Sequence, residues 1–189
     1  MIKANLDETN LKEKITEERA KTKRSDLIFY AVLAVLVILA VLLKVFVIAN
    51  YTVSGTSMEP TLSEGDWVWV NKVAEPKRGD IVVAYEPSSG KALVKRVVAI
   101  EGDTVSLEWK DTGYVVVVQT KEGEKLYENY EGVELPEIFS YRVGILEEPF
   151  LVSGGYFLMG DNRNDSNDSR NPDIGVFEYE DFIGVVIGR

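Results

Sequence analysis

From Leu27 to Ala49 the chain runs 23 residues with a single charge, Lys44, and this run limits every architecture open to it. As a helix the run is about 34 Å long, enough to cross a hydrocarbon core of roughly 30 Å. Lys44 lies near the far end, where its stem can snorkel to the headgroups. A cleaved export leader is the rival reading, but its apolar stretch normally covers about 7–15 residues. The run here is longer and follows a 26-residue segment that is mostly polar and charged. A retained transmembrane anchor over 27–49 is therefore expected.

Charge orients the anchor. Arg19, Lys21, Lys23 and Arg24 crowd its near side, and after Lys44 the next basic residue is Lys72. The positive-inside tendency then makes residues 1–26 a cytoplasmic segment and residues 50–189 an extracytoplasmic domain. Glu17 and Lys21 stand at i,i+4, which suits a solvated helix, although a frayed segment is equally open there. The outer part carries 13 Lys/Arg against 25 Asp/Glu. So acidic a surface argues against a nucleic-acid partner.

The outer part reads as mainly β. Strand formers dominate Asp66–Asn71, Asp80–Tyr85, Ala92–Ile100, Asp103–Trp109 and Tyr114–Thr120, and again Tyr156–Met159 and Phe182–Ile187. Gly/Asp turn signals such as Arg78-Gly79-Asp80 and Glu101-Gly102-Asp103 separate them. Residues 123–150 are weakly patterned and read as an insertion or surface arm. Trp67 and Trp69 share one face of their strand; a core location is the commoner fate of such a pair, while a membrane interface would also suit indoles.

Composition removes several chemistries. The 189 residues include no cysteine and no histidine. Disulfides, a thiolate nucleophile and a Ser-His-Asp triad are all excluded within this chain. A hydrolase built from it would need Lys, Asp or Glu as its base.

Three segments could carry such chemistry. Gly55-Thr56-Ser57-Met58-Glu59-Pro60-Thr61 is a constrained turn: Pro60 fixes its own φ and restricts Glu59, and Gly55 admits backbone angles that other residues resist. In Val94-Lys95-Arg96-Val97-Val98-Ala99-Ile100, strand alternation puts Lys95 on the face of Val97 and Ala99, with Arg96 opposite. A lysine in an apolar layer is pushed toward its neutral amine, which can take a proton from a nearby serine. An exposed lysine on a strand edge is the bland alternative. Gly160 to Arg170 is an Asx-rich loop in which alternating Asp and Arg can pair. A calcium loop is a poor fit, since neither flanking helices nor the terminal Glu of an EF-hand is present.

In this order, behind an N-in anchor, the segments resemble those of bacterial type I signal peptidases. The resemblance covers Ser54 to Arg170. It implies an all-β catalytic domain at the outer face of the plasma membrane, preceded by a single transmembrane helix. The implied reaction is removal of signal peptides from exported preproteins, without a cofactor or metal. Ser57 would be the nucleophile, Lys95 the general base, and Ser166 a hydroxyl that orients the lysine. Asp161, Arg163, Asp168 and Arg170 would be structural charges. Val53, Leu62, Leu93 and Val94 would frame shallow pockets for small side chains. Preproteins, the lipid bilayer and the protein-export machinery are the implied partners. One departure stands out: Gly55 occupies the position where many members carry a serine whose hydroxyl helps bind the oxyanion. The Ser57 N–H is one donor, and the second is unassigned.

Two other readings remain at this point. One is a self-cleaving Ser/Lys peptidase of the cytosol, against which the anchor counts. The other is a membrane-anchored β module that binds a partner without catalysis. Related archaeal and endoplasmic-reticulum peptidases place histidine where Lys95 stands, which this composition excludes. The topology is testable directly: protease added to spheroplasts is expected to digest 50–189 and spare 1–26, and the opposite protection pattern would reverse the orientation.

Overall fold

The computed structural model describes residues 2–111, 113–128, 135–138 and 143–189, with backbone only for 2–20 and 22. The chain divides into two units, Met1–Phe46 and Val47–Arg189. The first is one helix, α1, over Ile2–Phe46. Its stretch Lys23–Phe46 has a mean hydropathy of 2.9 and buries none of its surface, so by length and composition it can cross a membrane. The helix stops three residues before the apolar run does. Ile48–Thr52 forms strand β1 instead, paired antiparallel with Trp67–Asn71 (β2) from Ile48↔Asn71 to Thr52↔Trp67. Hydropathy is blind to this boundary, because Val47 to Ala49 are equally apolar in either structure. A strand partner decides it.

The second unit is built from two antiparallel sheets. The larger contains β1, β2, Ile81–Tyr85 (β3), Ala92–Ile100 (β4), Tyr156–Met159 (β9) and Phe182–Gly188 (β10), in the order β1-β2-β10-β3-β4-β9. The smaller contains Thr104–Lys110 (β5), Gly113–Gln119 (β6), Lys125–Tyr127 (β7) and Phe150–Leu151 (β8), in the order β7-β6-β5-β8. Short strands β7 and β8, and a 3-10 turn at Gly144–Glu147, fall inside the weakly patterned 123–150 segment. Ile138 adds a bridge to Tyr114. The two strands belong to the smaller sheet, and residues 129–134 and 139–142 lie outside the described residues.

Three apolar clusters hold the sheets. Val98, Ala99, Phe157 and Met159 of the larger sheet meet Val105, Val116 and Val118 of the smaller one. Val82, Ala84, Val97 and Leu158 pack with Ile174 and Phe177. Val53, Met58 and Leu62 pack on Val68, Val70 and Val83. Strand β3 is consequently buried at Val82, Val83 and Ala84, and β4 from Lys95 through Ala99. Strands covered on both sides are where an unbroken Val/Ile run is stable, since every side chain removes apolar surface from water.

Two readings of side-chain direction change here. Val97 and Ala99 do not share a cluster, because the β4–β9 register shifts between them and the alternation breaks at that bulge. Trp67 and Trp69 are 64% and 48% exposed, while Val68 and Val70 are fully buried. The valines, not the indoles, face the core. Period-two alternation gave the two faces, and only packing against Val53, Met58 and Leu62 chose between them.

Candidate active site

The turn that follows β1 is anchored on both sides of Ser57. Met58 and Leu62 insert into the cluster beside Val53, and the Leu62 N–H donates to Met58 O at 2.9 Å. The Glu59 N–H donates to Thr56 O at 3.1 Å, and Val53 and Asp66 close the base of the loop at 2.8 Å. Gly55 sits at φ +84°, in the left-handed region that side chains resist. A serine hydroxyl at that position would carry a backbone cost, which gives a physical reason for glycine there. Ser57 itself stays partly exposed.

Lys95 enters from β4. It is 3% exposed, and its Nζ lies 2.7 Å from Ser57 Oγ and 3.2 Å from Val94 O. Burial pushes its pKa below the ordinary lysine value, and the Arg170 charge adds to the effect while Asp168 opposes it. A depressed lysine in contact with a serine hydroxyl has the geometry that a base–nucleophile pair needs. The amine can accept the hydroxyl proton as the oxygen attacks.

The Asx-rich loop surrounds this pair. Gly160 meets it so closely that an added Cβ would lie 2.3 Å from both Ser166 Oγ and Ser57 O. The Asn162 N–H donates to Ser57 O at 3.1 Å, and Asn162 Nδ2 donates to Thr56 O at 3.1 Å. The Thr56 hydroxyl donates to Asp165 at 3.1 Å. Ser166 Oγ is buried without a hydrogen bond of good geometry. Its nearest polar influence is on Asp168: burial pushes that carboxyl up, but Arg170, the Gly160 N–H and the Ser166 hydroxyl together hold it below the usual range. No direct Ser166–Lys95 hydrogen bond is present among the described residues.

Asp161, Arg163, Asp168 and Arg170, four of the five loop charges, each have an ionic partner. Asp161 accepts from Arg96 Nε at 2.8 Å and from a terminal nitrogen of the same guanidinium at 2.6 Å, and also from Thr61 Oγ1. Asp168 is gripped by Arg170 at 2.8 and 2.9 Å. Arg163 pairs with Glu128. Of the two acids, Asp161 and Asp165, that a calcium loop would use, Asp161 is thus bound to an arginine and Asp165 accepts from the Thr56 hydroxyl, and no cluster of three acidic groups suited to a metal occurs among the described residues. Sequence reasoning passed over Arg96, Thr61 and Asn162. Arg96 was assigned to the face opposite Lys95, yet it is 5% exposed and bonded to Gly79 O at 2.7 Å as well as to Asp161. Its only sequence signal was adjacency to Lys95.

Beside the pair is a hollow of about 90 Å³ lined by Val53, Val83, Leu93, Val94, Ser57 and Lys95, among others. Leu62 is not part of that lining; it is buried beneath, against Val68 and Val70. The hollow has room for roughly three waters' share of liquid volume, or one small side chain. Larger hollows lie elsewhere, one of about 770 Å³ beside Glu75 and Tyr156, but neither Ser57 nor Lys95 touches that one.

The buried amine has a pH signature. Unfolded lysine keeps its proton up to about pH 10.5, whereas folded Lys95 loses it earlier. Between those two values the unfolded state binds more protons, so stability rises with pH; below the folded value the full desolvation penalty is present. Lys95→Met is therefore expected to melt above the parent at neutral pH. Its advantage should shrink as pH rises toward 10.5, read as paired thermal melts across pH. A constant gap would mean that Lys95 titrates in the folded protein as it does in the unfolded chain, so that burial does not depress it.

Comparison with known proteins agrees over nearly the whole chain. Residues 13–189 match the family described as signal peptidase, peptidase S26. The chain is 37% identical over 165 residues to signal peptidase I of Bacillus licheniformis, covering 83% of this chain and 85% of that protein. It is 35% identical over 184 residues to signal peptidase I T of Bacillus subtilis (strain 168), covering 93% and 91%. Against signal peptidase I S of the same strain it is 33% identical over 175 residues, covering 88% and 90%. With a match of this extent around a buried lysine in contact with a serine, the chain belongs to the signal peptidase, peptidase S26, family.

Proposed function

We propose that this chain is a membrane-anchored serine endopeptidase that cleaves N-terminal signal peptides from exported preproteins, with Ser57 as nucleophile and Lys95 as general base. The observation that carries the residue assignment is the 2.7 Å contact between Lys95 Nζ and Ser57 Oγ in a site where burial depresses the lysine. Neutral Lys95 takes the hydroxyl proton as Ser57 Oγ bonds to the scissile carbonyl carbon. The carbonyl oxygen becomes an oxyanion facing the Ser57 N–H, which donates to no other group among the described residues. Collapse breaks the C–N bond, and the Lys95 ammonium returns its proton to the departing amine. The resulting ester is hydrolysed when Lys95 takes a proton from water, hydroxide adds to the ester carbon, and the proton passes to Ser57 Oγ as it leaves.

The remaining assignments follow the same reading. Ser166 supports the dyad through Asp168 and Gly160, and Asp161, Arg163, Asp168 and Arg170 hold the loop. Val53, Leu93 and Val94 frame the pocket for the residue before the cut. Lys23–Phe46 anchors the protein in the plasma membrane, with the N-terminus cytoplasmic and the second unit outside. The preproteins arrive through the export machinery, the partner expected beside it.

In detergent with a preprotein substrate, Ser57→Ala and Lys95→Arg are each expected to abolish cleavage while leaving the fold intact, because arginine does not deprotonate. Parent activity should rise with pH, with a midpoint below the ordinary lysine value, and should persist in a chelator. Substantial turnover by Lys95→Arg, or loss of activity to the chelator, would end the dyad assignment.

Changing the residue before the scissile bond from Ala to Phe is expected to block processing. A hollow of about 90 Å³ accepts a methyl group, and a ring would force strain of about 1–3 kcal/mol or more. Equal cleavage of the two substrates, read by sequencing the new N-terminus, would remove Val53, Leu93 and Val94 from the pocket.

A further inference from the structure

Asn162 holds both peptide planes that flank Ser57. Its side-chain Nδ2 donates to Thr56 O at 3.1 Å, and its backbone N–H donates to Ser57 O at 3.1 Å. Thr56 O and the Ser57 N–H are opposite ends of one planar trans peptide, so a bond that fixes the oxygen fixes the direction of the N–H. The other bond on Thr56 O comes from the Glu59 N–H and is local to the turn. Asn162 alone ties that oxygen to a different part of the chain. Asn162 is itself held, since the Asp165 N–H donates to its carbonyl at 3.0 Å while Asp165 accepts from the Thr56 hydroxyl at 3.1 Å. The two segments therefore grip each other at three points within a few residues of the nucleophile. The Ser57 N–H meanwhile donates to nothing among the described residues.

We propose that Asn162 is a positioning residue for the oxyanion donor: its side-chain amide aims and polarises the Thr56–Ser57 peptide so that the Ser57 N–H points at the developing oxyanion. A donor to a peptide oxygen also strengthens the N–H at the other end of the same amide. With Gly55 in place of a hydroxyl-bearing residue, the backbone N–H carries more of the oxyanion's charge, and its aim matters more. This rests on the reading of Ser57 as nucleophile.

The test uses the full-length protein in detergent, with a preprotein substrate and a peptide aldehyde ending in Ala, whose adduct with Ser57 places an oxygen where the oxyanion forms. Asn162→Asp keeps the shape but replaces the donor by an acceptor; Asn162→Ala carries the same readouts if the aspartate variant melts far below the parent. The expected result is a kcat reduced about 10–100-fold with KM within about threefold. Aldehyde affinity should fall in proportion to kcat/KM, and in Asn162→Ala, which adds no charge near Lys95, the midpoint of the pH profile should not move. Asn164→Ala, which removes a donor to Glu137 O at 2.8 Å in the same loop, is the comparison for loosening the loop alone and should leave kcat near the parent value. Parent-like kcat in both Asn162 variants, an equal loss in Asn164→Ala, unchanged aldehyde affinity, or a shifted pH midpoint in Asn162→Ala would each overturn the assignment. A Ser57→Ala control run alongside separates the two levels: if it stays active the nucleophile reading fails, and if it is inactive while Asn162→Asp is not, only the positioning role fails.

Discussion

The buried ion pair between Arg96 and Asp161 joins the strand that carries the lysine to the loop that surrounds it, and the rest of the site hangs on that junction. Both side chains are almost wholly removed from water, 6% and 0% exposed. Taking two such charges out of water costs several kcal/mol per ion, and their attraction offsets this only if the geometry is good and the remaining groups are bonded. Here they are: the guanidinium donates also to Gly79 O, and the carboxylate accepts also from Thr61. The pair therefore specifies one arrangement of β4 against the loop. Any other arrangement would leave a buried charge alone, a loss of about 3–5 kcal/mol. Next to Arg96 and Asp161 in the chain stand Lys95 and Gly160, so fixing this pair fixes the surroundings of the Lys95–Ser57 contact.

The lysine shows why such rigidity is needed. A neutral amine requires burial, and burial beside Asp168 would tend to restore its charge. Arg170 occupies that carboxylate with two hydrogen bonds and contributes a positive charge of its own, which limits the restoration. Asp168 in turn receives the Gly160 N–H at 3.0 Å. The Asp168–Arg170 salt bridge and the depressed pKa of Lys95 are thus one electrostatic arrangement. The peptide planes around Ser57 belong to the same arrangement, since Asn162 follows Asp161 directly.

Much of this could be read from residue order. The strands were marked by β-branched runs and Gly/Asp punctuation, and β4 and β9 match those runs from Ala92 to Ile100 and from Tyr156 to Met159. The Ser57 turn, the Lys95 strand and the Asx loop were visible as local chemistry. What sequence missed were relations at long range. Strand β1 was hidden in the apolar run because its only distinguishing feature is pairing with β2. Alternation put Arg96 opposite Lys95 without saying what covers that face, and β4 is covered on both. Trp67 and Trp69 looked like core because their size suggests it, until Val53, Met58 and Leu62 filled the other side.

By itself the sequence determined which chemistry was possible. With no histidine and no cysteine, a lysine was the natural partner for the serine, and a 23-residue apolar run marked a membrane segment. Composition and local pattern are properties of neighbouring residues, so they survive without coordinates. Only the tertiary structure decided that Ser57 and Lys95, 38 positions apart, meet at 2.7 Å, that Asp161 pairs with Arg96, and that Asn162 reaches the carbonyls of both Thr56 and Ser57. Those are contacts between segments distant in the chain. They exist because two sheets and a charged loop have one low-energy packing, and no local propensity encodes which distant groups that packing brings together.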